Sequence, residues 1–180
     1  MPEPLILPFG DDVPAISSDA WLAPTATVIG AASVAAEASV FYGAVIRADM
    51  DTVRLGAGSN LQDNVVVHTD HGSPAIIGAG VSVGHSAVVH GCTIEDNCLI
   101  GMNATVLNGA VVGAGSLVAA GTVILEGTQI PPRSLVAGVP GKVRRELTDA
   151  ALAKVVANAQ LYVRLAAAHR GLSPADLSDS

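Results

Sequence analysis

The chain has 180 residues, a formal net charge of −7 and half of its residues apolar, but only one Trp, two Tyr and two Phe. That length suits one domain, 1–180, whose core must be built from Val, Ile, Leu and Ala. The acidic balance argues against nucleic acid and an anionic membrane surface as partners, since both repel a negatively charged chain. Met1-Pro2-Glu3 opens without a basic or apolar targeting segment, so no signal peptide is expected. Two cysteines, Cys92 and Cys98, are too few for a disulfide framework and read as reduced thiols in a cytoplasmic protein.

From about residue 13 to 130 the apolar residues recur every sixth position. Downstream the series is Ile94, Ile100, Val106, Val112, Val118 and Ile124, with Cys98, Ala104, Ala110, Ser116, Thr122 and Thr128 four residues on. A helix would repeat at 3.6 and a simple strand at 2. A period of six marks a hexapeptide-repeat β-helix, in which residues about one turn of 18 apart are stacked. Upstream the slot is read at Ile29, Ala35, Phe41 and Arg47, then Leu55, Leu61 and Val67, then Ile77, Val83 and Val89. The uncharged run Cys98–Leu125 belongs to this repeat, so no membrane span is expected. With three repeats per turn, one column reads Ile29, Arg47, Val67, Val89, Val106 and Ile124. The next column contains His68 and His90, stacked on one face at the ordinary strand spacing of about 4.8 Å.

Residues 131–147, with Pro131-Pro132 and Gly138-Val139-Pro140-Gly141, read as turns. Over 148–170 the period becomes helical, with Leu152, Val155, Val156, Ala159, Tyr162, Val163 and Ala166 forming an apolar stripe. Thr148 can cap its start and Gly171 its end, and His169 suits a helix C-terminus as a cation. The helix should lie on the solenoid flank, and 171–180 should form a tail.

His68 and His90 on adjacent rungs supply two imidazoles, while His85 falls on the preceding face. A catalytic zinc takes three protein ligands and leaves a fourth position open. A neighbouring copy can present the third ligand, most simply in a threefold ring. Wall histidines bonded along a ladder are the other reading of the same spacing. Cys92, two residues after His90, is a further conceivable ligand. Arg47 in an aliphatic slot would be a buried guanidinium needing a carboxylate, with Asp49 and Asp63 as candidates.

Arg47-Ala48-Asp49, Asn60-Leu61-Gln62-Asp63, His68, Val83-Gly84-His85 through His90-Gly91-Cys92, and the Gly101–Ala104 run together resemble the γ-class carbonic anhydrases. The likeness covers about residues 13–165. It implies a left-handed parallel β-helix with a C-terminal α-helix on its flank, assembled as a homotrimer. It also implies one ion per subunit interface, zinc or alternatively Fe(II) or Co(II), with His68 and His90 from one subunit and His85 from its neighbour. The implied reaction is reversible hydration of carbon dioxide to bicarbonate by a metal-bound hydroxide. By the same likeness Gln62 orients the nucleophile, Asn60 helps place it, Tyr162 comes over the site, and Arg47 pairs with Asp49 or Asp63 across the subunit boundary. Met50 follows Asp49, and the loop after His68 has Asp70 and His71 but no Glu, unlike the branch that shuttles protons with glutamates. In this it resembles the shorter bacterial branch, with His71 as a candidate relay. Two other classes share the solenoid. One is a hexapeptide-repeat acyltransferase or acyl-CoA thioesterase, suggested by the Gly138–Arg144 ending. The other is a non-catalytic binding or assembly protein, such as a ferric-siderophore binder.

Overall fold

The structure is a computed structural model that describes residues 3–172. Short parallel strands wind as a left-handed β-helix with three flat faces, followed by a single helix. The first face stacks Leu5–Leu7, the first half of Thr27–Val34, the first half of Val45–Leu55, Val66–His68, Val88–His90, Thr105–Val106 and Val123–Ile124. The second takes the second halves of the two long strands, then Ala75–Ile77, Thr93–Ile94, Val111–Val112 and Gln129–Ile130. The third runs from Trp21–Leu22 through Asn60–Leu61 and Ser82–Val83 to Ser134–Ala137. The solenoid therefore starts at Leu5, earlier than the six-residue pattern shows, because Leu5–Leu7 pairs in parallel with Thr27–Ile29.

The bore is narrow and is filled by one aliphatic and one small residue per repeat. Val28, Ile46, Val67, Val89, Val106 and Ile124 form a fully buried ladder. Ala26, Ala44, Val65, Ala87, Ala104 and Thr122 fill the corner beside it. Branched aliphatics suit extended backbone packed on both sides, and small corner residues let the three faces approach one another. Each turn also needs backbone in the left-handed region, as at Ser86 (φ 59°), just after His85.

This ladder corrects the upstream column. Its members are Val28 and Ile46, not Ile29 and Arg47, so three extra residues fall between Ile46 and Leu55. The apolar pairs Val28-Ile29 and Val40-Phe41 satisfy a six-residue period in either phase. Strand pairing decides between them, and a slip of one residue moves every side chain to the opposite face. Arg47 accordingly points outward, with 46% of its side chain exposed, and is not a buried guanidinium.

The 131–147 segment is also corrected. Ser134–Ala137 completes the last rung, and Lys142–Glu146 folds back antiparallel on it. All five residues of that closing strand are exposed and four are charged, which blunts the open edge of the sheet. The helix α1 (Asp149–Arg170) follows, with Thr148 accepting a hydrogen bond from the Ala151 amide. It packs mainly on the third face, burying Val155, Ala159 and Ala166. His169 does more than end the helix: its ring lies among Trp21, Phe41 and Tyr42, and its Nδ1 is 2.9 Å from the Tyr42 hydroxyl. Of the expected tail, 173–180 lies outside the described residues. No helix among the described residues is long and apolar enough to cross a membrane. Cys92 and Cys98 are free and buried, and burial pushes both thiols up to about 12. Cys92 is turned into the bore while His90 points out, so the two do not form a ligand pair.

Candidate metal centre

The outward column of the first face reads Leu7, Ile29, Arg47, His68 and His90 in direct strand register. Residues 18 to 22 apart are thus neighbours, and the two imidazoles meet with His68 Nδ1 and His90 Nε2 2.9 Å apart. Arg47 belongs to the same column, one rung before His68.

Hydrogen bonds determine what these two nitrogens carry. The Asp49 carboxylate only accepts, so at 3.1 Å it takes the proton of His68 Nε2 and leaves His68 Nδ1 bare. On the other side Asn108 Nδ2 donates to Asp70 Oδ2 at 2.7 Å. Asn108 Oδ1 therefore faces His90 Nδ1, also at 2.7 Å, and accepts its proton. His90 Nε2 is then bare as well. Two lone pairs at 2.9 Å repel, and a shared proton or a cation between them relieves that repulsion. Imidazoles whose far nitrogen is tied to a carboxylate or carbonyl are the usual donor set of a metal site, so these residues fit a divalent ion. Arg47 Nη1 donates to the other Asp49 oxygen at 2.5 Å. Burial pushes the Asp49 carboxyl up, but the hydrogen bonds from Arg47 and His68 outweigh it and hold it below its ordinary value.

His85 sits at the other edge of the first face, before the strand Val88–His90. Its Nδ1 lies 2.8 Å from Asp63 Oδ2, and the Tyr162 hydroxyl makes a long, 3.5 Å hydrogen bond to its Nε2. Like His68, it has one nitrogen held by a carboxylate, whereas His90 is held by the Asn108 amide. The His85 side chain is 43% exposed. Among the described residues of one chain, no group of three His, Cys, Asp or Glu is gathered as a ligand set. The His68–His90 pair and His85 instead lie at opposite edges of one face.

Around His85 lie the remaining sequence candidates. Gln62 is nearly buried and donates through Nε2 to Asn60 Oδ1 at 3.2 Å. Asn60 in turn donates to Ser82 Oγ at 3.0 Å. This chain orients Gln62 and leaves its carbonyl oxygen on the opposite side. Tyr162 packs edge-on against Phe41, with ring centroids 5.4 Å apart. Burial, then the Asp63 charge, pushes its hydroxyl up. A cavity of about 280 Å³ is bounded by Gln62, His85, Met102, Tyr162 and Asn158. Asn158 Oδ1 is buried there without a hydrogen-bond partner. Sequence reasoning missed Asn158, although its spacing of four from Tyr162 places it on the same side of the helix. An amide inside an apolar stripe was the available signal. His71 is exposed in the turn after Asp70.

The chain matches the family model for bacterial transferase hexapeptide (six repeats) over residues 91–126. A Methanocaldococcus jannaschii protein named "Probable carbonic anhydrase" is 55% identical over 150 residues, covering 83% of this chain and 94% of that one. The chain belongs to the γ-class carbonic anhydrase family. The mitochondrial gamma carbonic anhydrase 1 of Arabidopsis thaliana is 42% identical over 88% of this chain, which spans 60% of that relative's length. A solved Bacillus cereus structure, described as a candidate acetyltransferase, superposes with a TM-score of 0.93. It is 33% identical and covers 95% of this chain and 99% of its own. As a γ-class carbonic anhydrase the chain has a compact rim: the segment after His68 is a tight turn, closed by the Ser73 amide donating to the Asp70 carbonyl at 2.9 Å.

Proposed function

We propose that the chain is a cytoplasmic enzyme that reversibly hydrates carbon dioxide to bicarbonate at metal sites shared between neighbouring copies of a homotrimer. The observation carrying this reading is the pair of facing, bare imidazole nitrogens of His68 and His90, with a third imidazole, His85, held by Asp63 at the far edge of the same face. Two edges of one face meet across a closed threefold ring, so His85 of one copy is brought to His68 and His90 of the next. Exposed apolar residues surround these groups, among them Leu7, Val66 and Leu125, as expected of a face covered by another copy. The ligand set suits zinc, with Fe(II) or Co(II) as alternatives. When bound, such an ion acidifies water so that a nucleophile is available at neutral pH.

The chain's own residues do the rest. Gln62, held by Asn60, presents its carbonyl oxygen to accept a hydrogen bond from the attacking water and so orients it. The Tyr162 hydroxyl can donate to a substrate oxygen, Asn158 Oδ1 can accept from the hydroxyl of bicarbonate, and Met102 supplies an apolar wall for carbon dioxide. Hydration releases one proton per bicarbonate, and exposed His71 at the rim can pass it to buffer.

The likeness to an acetyltransferase structure supports a second reading, acyl transfer or thioester hydrolysis on the same solenoid. The test is stopped-flow hydration by trimer loaded with zinc or with iron(II) under reducing conditions. Hydration above buffer that rises with pH is expected. Metallated protein without hydration that cleaves or transfers acetyl from acetyl-CoA would favour the second reading. Loss of both activities would favour a binding or assembly role.

Arg47 provides a separate check on the assembly. Within one chain an exposed ion pair such as Arg47–Asp49 contributes only ~0–1 kcal/mol. The bore beside it is carried by Ile46 and Ala48, so Arg47→Ala should leave strand content unchanged. It should instead raise the concentration at which trimers dissociate in analytical ultracentrifugation, because the pair lies on the proposed interface. A lower melting temperature with trimer affinity unchanged would place Arg47 in the fold rather than the interface.

A further inference from the structure

We propose that Asp70 and Asn108 are a positioning pair that dictates which nitrogen of His90 is free to bind a cation. The inference rests on the metal-centre reading above and adds to it two residues that neither spacing nor the comparisons single out. His68 and His85 are each held directly by a carboxylate, Asp49 and Asp63. His90 is held by an amide, and an amide has two faces of opposite polarity. Taken alone, Asn108 could present either its oxygen or its NH2 to His90 Nδ1. Presenting the NH2 would move the imidazole proton to Nε2 and cover the nitrogen that faces His68.

Asp70 removes that choice. Its carboxylate accepts and does not donate, so at 2.7 Å it takes the Asn108 NH2 and turns the amide oxygen toward His90. The backbone is shaped around this amide. A Cβ at Gly91, the residue after His90, would press on Asn108 Oδ1, and the positive φ of 52° there also favours glycine. The Gly109 amide donates to the Gly91 carbonyl at 2.7 Å and holds the two rungs together beside it. The loop that follows His68 thus governs both ligands, one through the chain and the other through Asp70.

The test is Asp70→Asn, a near-isosteric change that touches neither histidine. The new amide at position 70 can donate to Asn108 Oδ1, letting Asn108 reverse and donate to His90 Nδ1. Zinc affinity of the trimer, measured by chelator competition, should fall ~10–100-fold, the usual effect of losing an outer partner of a ligating histidine. In metal-free protein with 15N-labelled histidine, NMR at pH 8 should show His90 changing from the Nδ1–H to the Nε2–H tautomer. The double variant Asp70→Asn/Asn108→Asp restores an acceptor facing His90 and should recover both the tautomer and near wild-type affinity. An unchanged tautomer in Asp70→Asn would overturn the proposal, as would a double variant that stays as weak as the single one. Because the NMR readout needs no metal, wild-type protein that failed to bind zinc would count against the metal centre while leaving the positioning role decided.

Discussion

Chains carrying His85→Ala should lose zinc as completely as chains carrying His68→Ala, although the two residues lie at opposite edges of one face. An equimolar mixture of the two variants, unfolded and refolded together, should regain about a quarter of the wild-type metal, because random trimers place an intact His68 beside an intact His85 at about one interface in four. No site within a single chain can produce that recovery, since each variant then lacks a ligand everywhere. The measurement is metal content per chain after gel filtration. Full retention by His85→Ala would reduce the site to His68 and His90 alone, and a mixture no better than either parent would put all three ligands in one chain. The expected loss is large because the proposed site has no protein ligand besides three imidazoles.

Gln62→Ala should lower kcat for carbon dioxide hydration on the order of 10²-fold, the scale seen when one preorganised polar group is removed from a transition state. Zinc content should remain unchanged, because Gln62 is proposed to orient the nucleophile and not to ligate. The structure favours so large an effect because the side chain is nearly buried and tethered through Asn60 to Ser82. Its oxygen is thereby aimed before substrate arrives. Asn60→Ala should give a smaller loss in the same direction by freeing Gln62 to rotate. A Gln62→Ala enzyme with wild-type kcat and raised KM would make the residue a binding wall instead.

Much of the architecture was legible because a solenoid repeats its own rule. Six-residue spacing from Ile94 to Ile124 identified the buried ladder, and adding up turns stacked His68 on His90 although 22 residues separate them. The caps Thr148 and Gly171 bounded the helix because each acts within one turn of chain. Arg47 was misplaced for an equally local reason. Val28-Ile29 and Val40-Phe41 are apolar in both phases, so periodicity upstream had two solutions one residue apart. Ser134–Ala137 and Lys142–Glu146 went unseen because Pro and Gly dominate their surroundings and the second strand is antiparallel, outside the repeat.

Composition and period together determined the fold class, since a narrow bore lined by one branched and one small residue per repeat accepts few other sequences. The order of the histidines and of the Arg47, Gln62 and Asp63 segments determined the family. Tertiary structure alone decided the phase of the upstream rungs, because only pairing can say which member of an apolar doublet faces inward. It alone brought Asn158 into the cavity beside Gln62 and His85, because helix and rung meet across a long sequence separation. It also decided the polarity of His90, since a proton's place on an imidazole depends on the acceptor opposite, and Asn108 and Asp70 become neighbours only when the rungs are stacked.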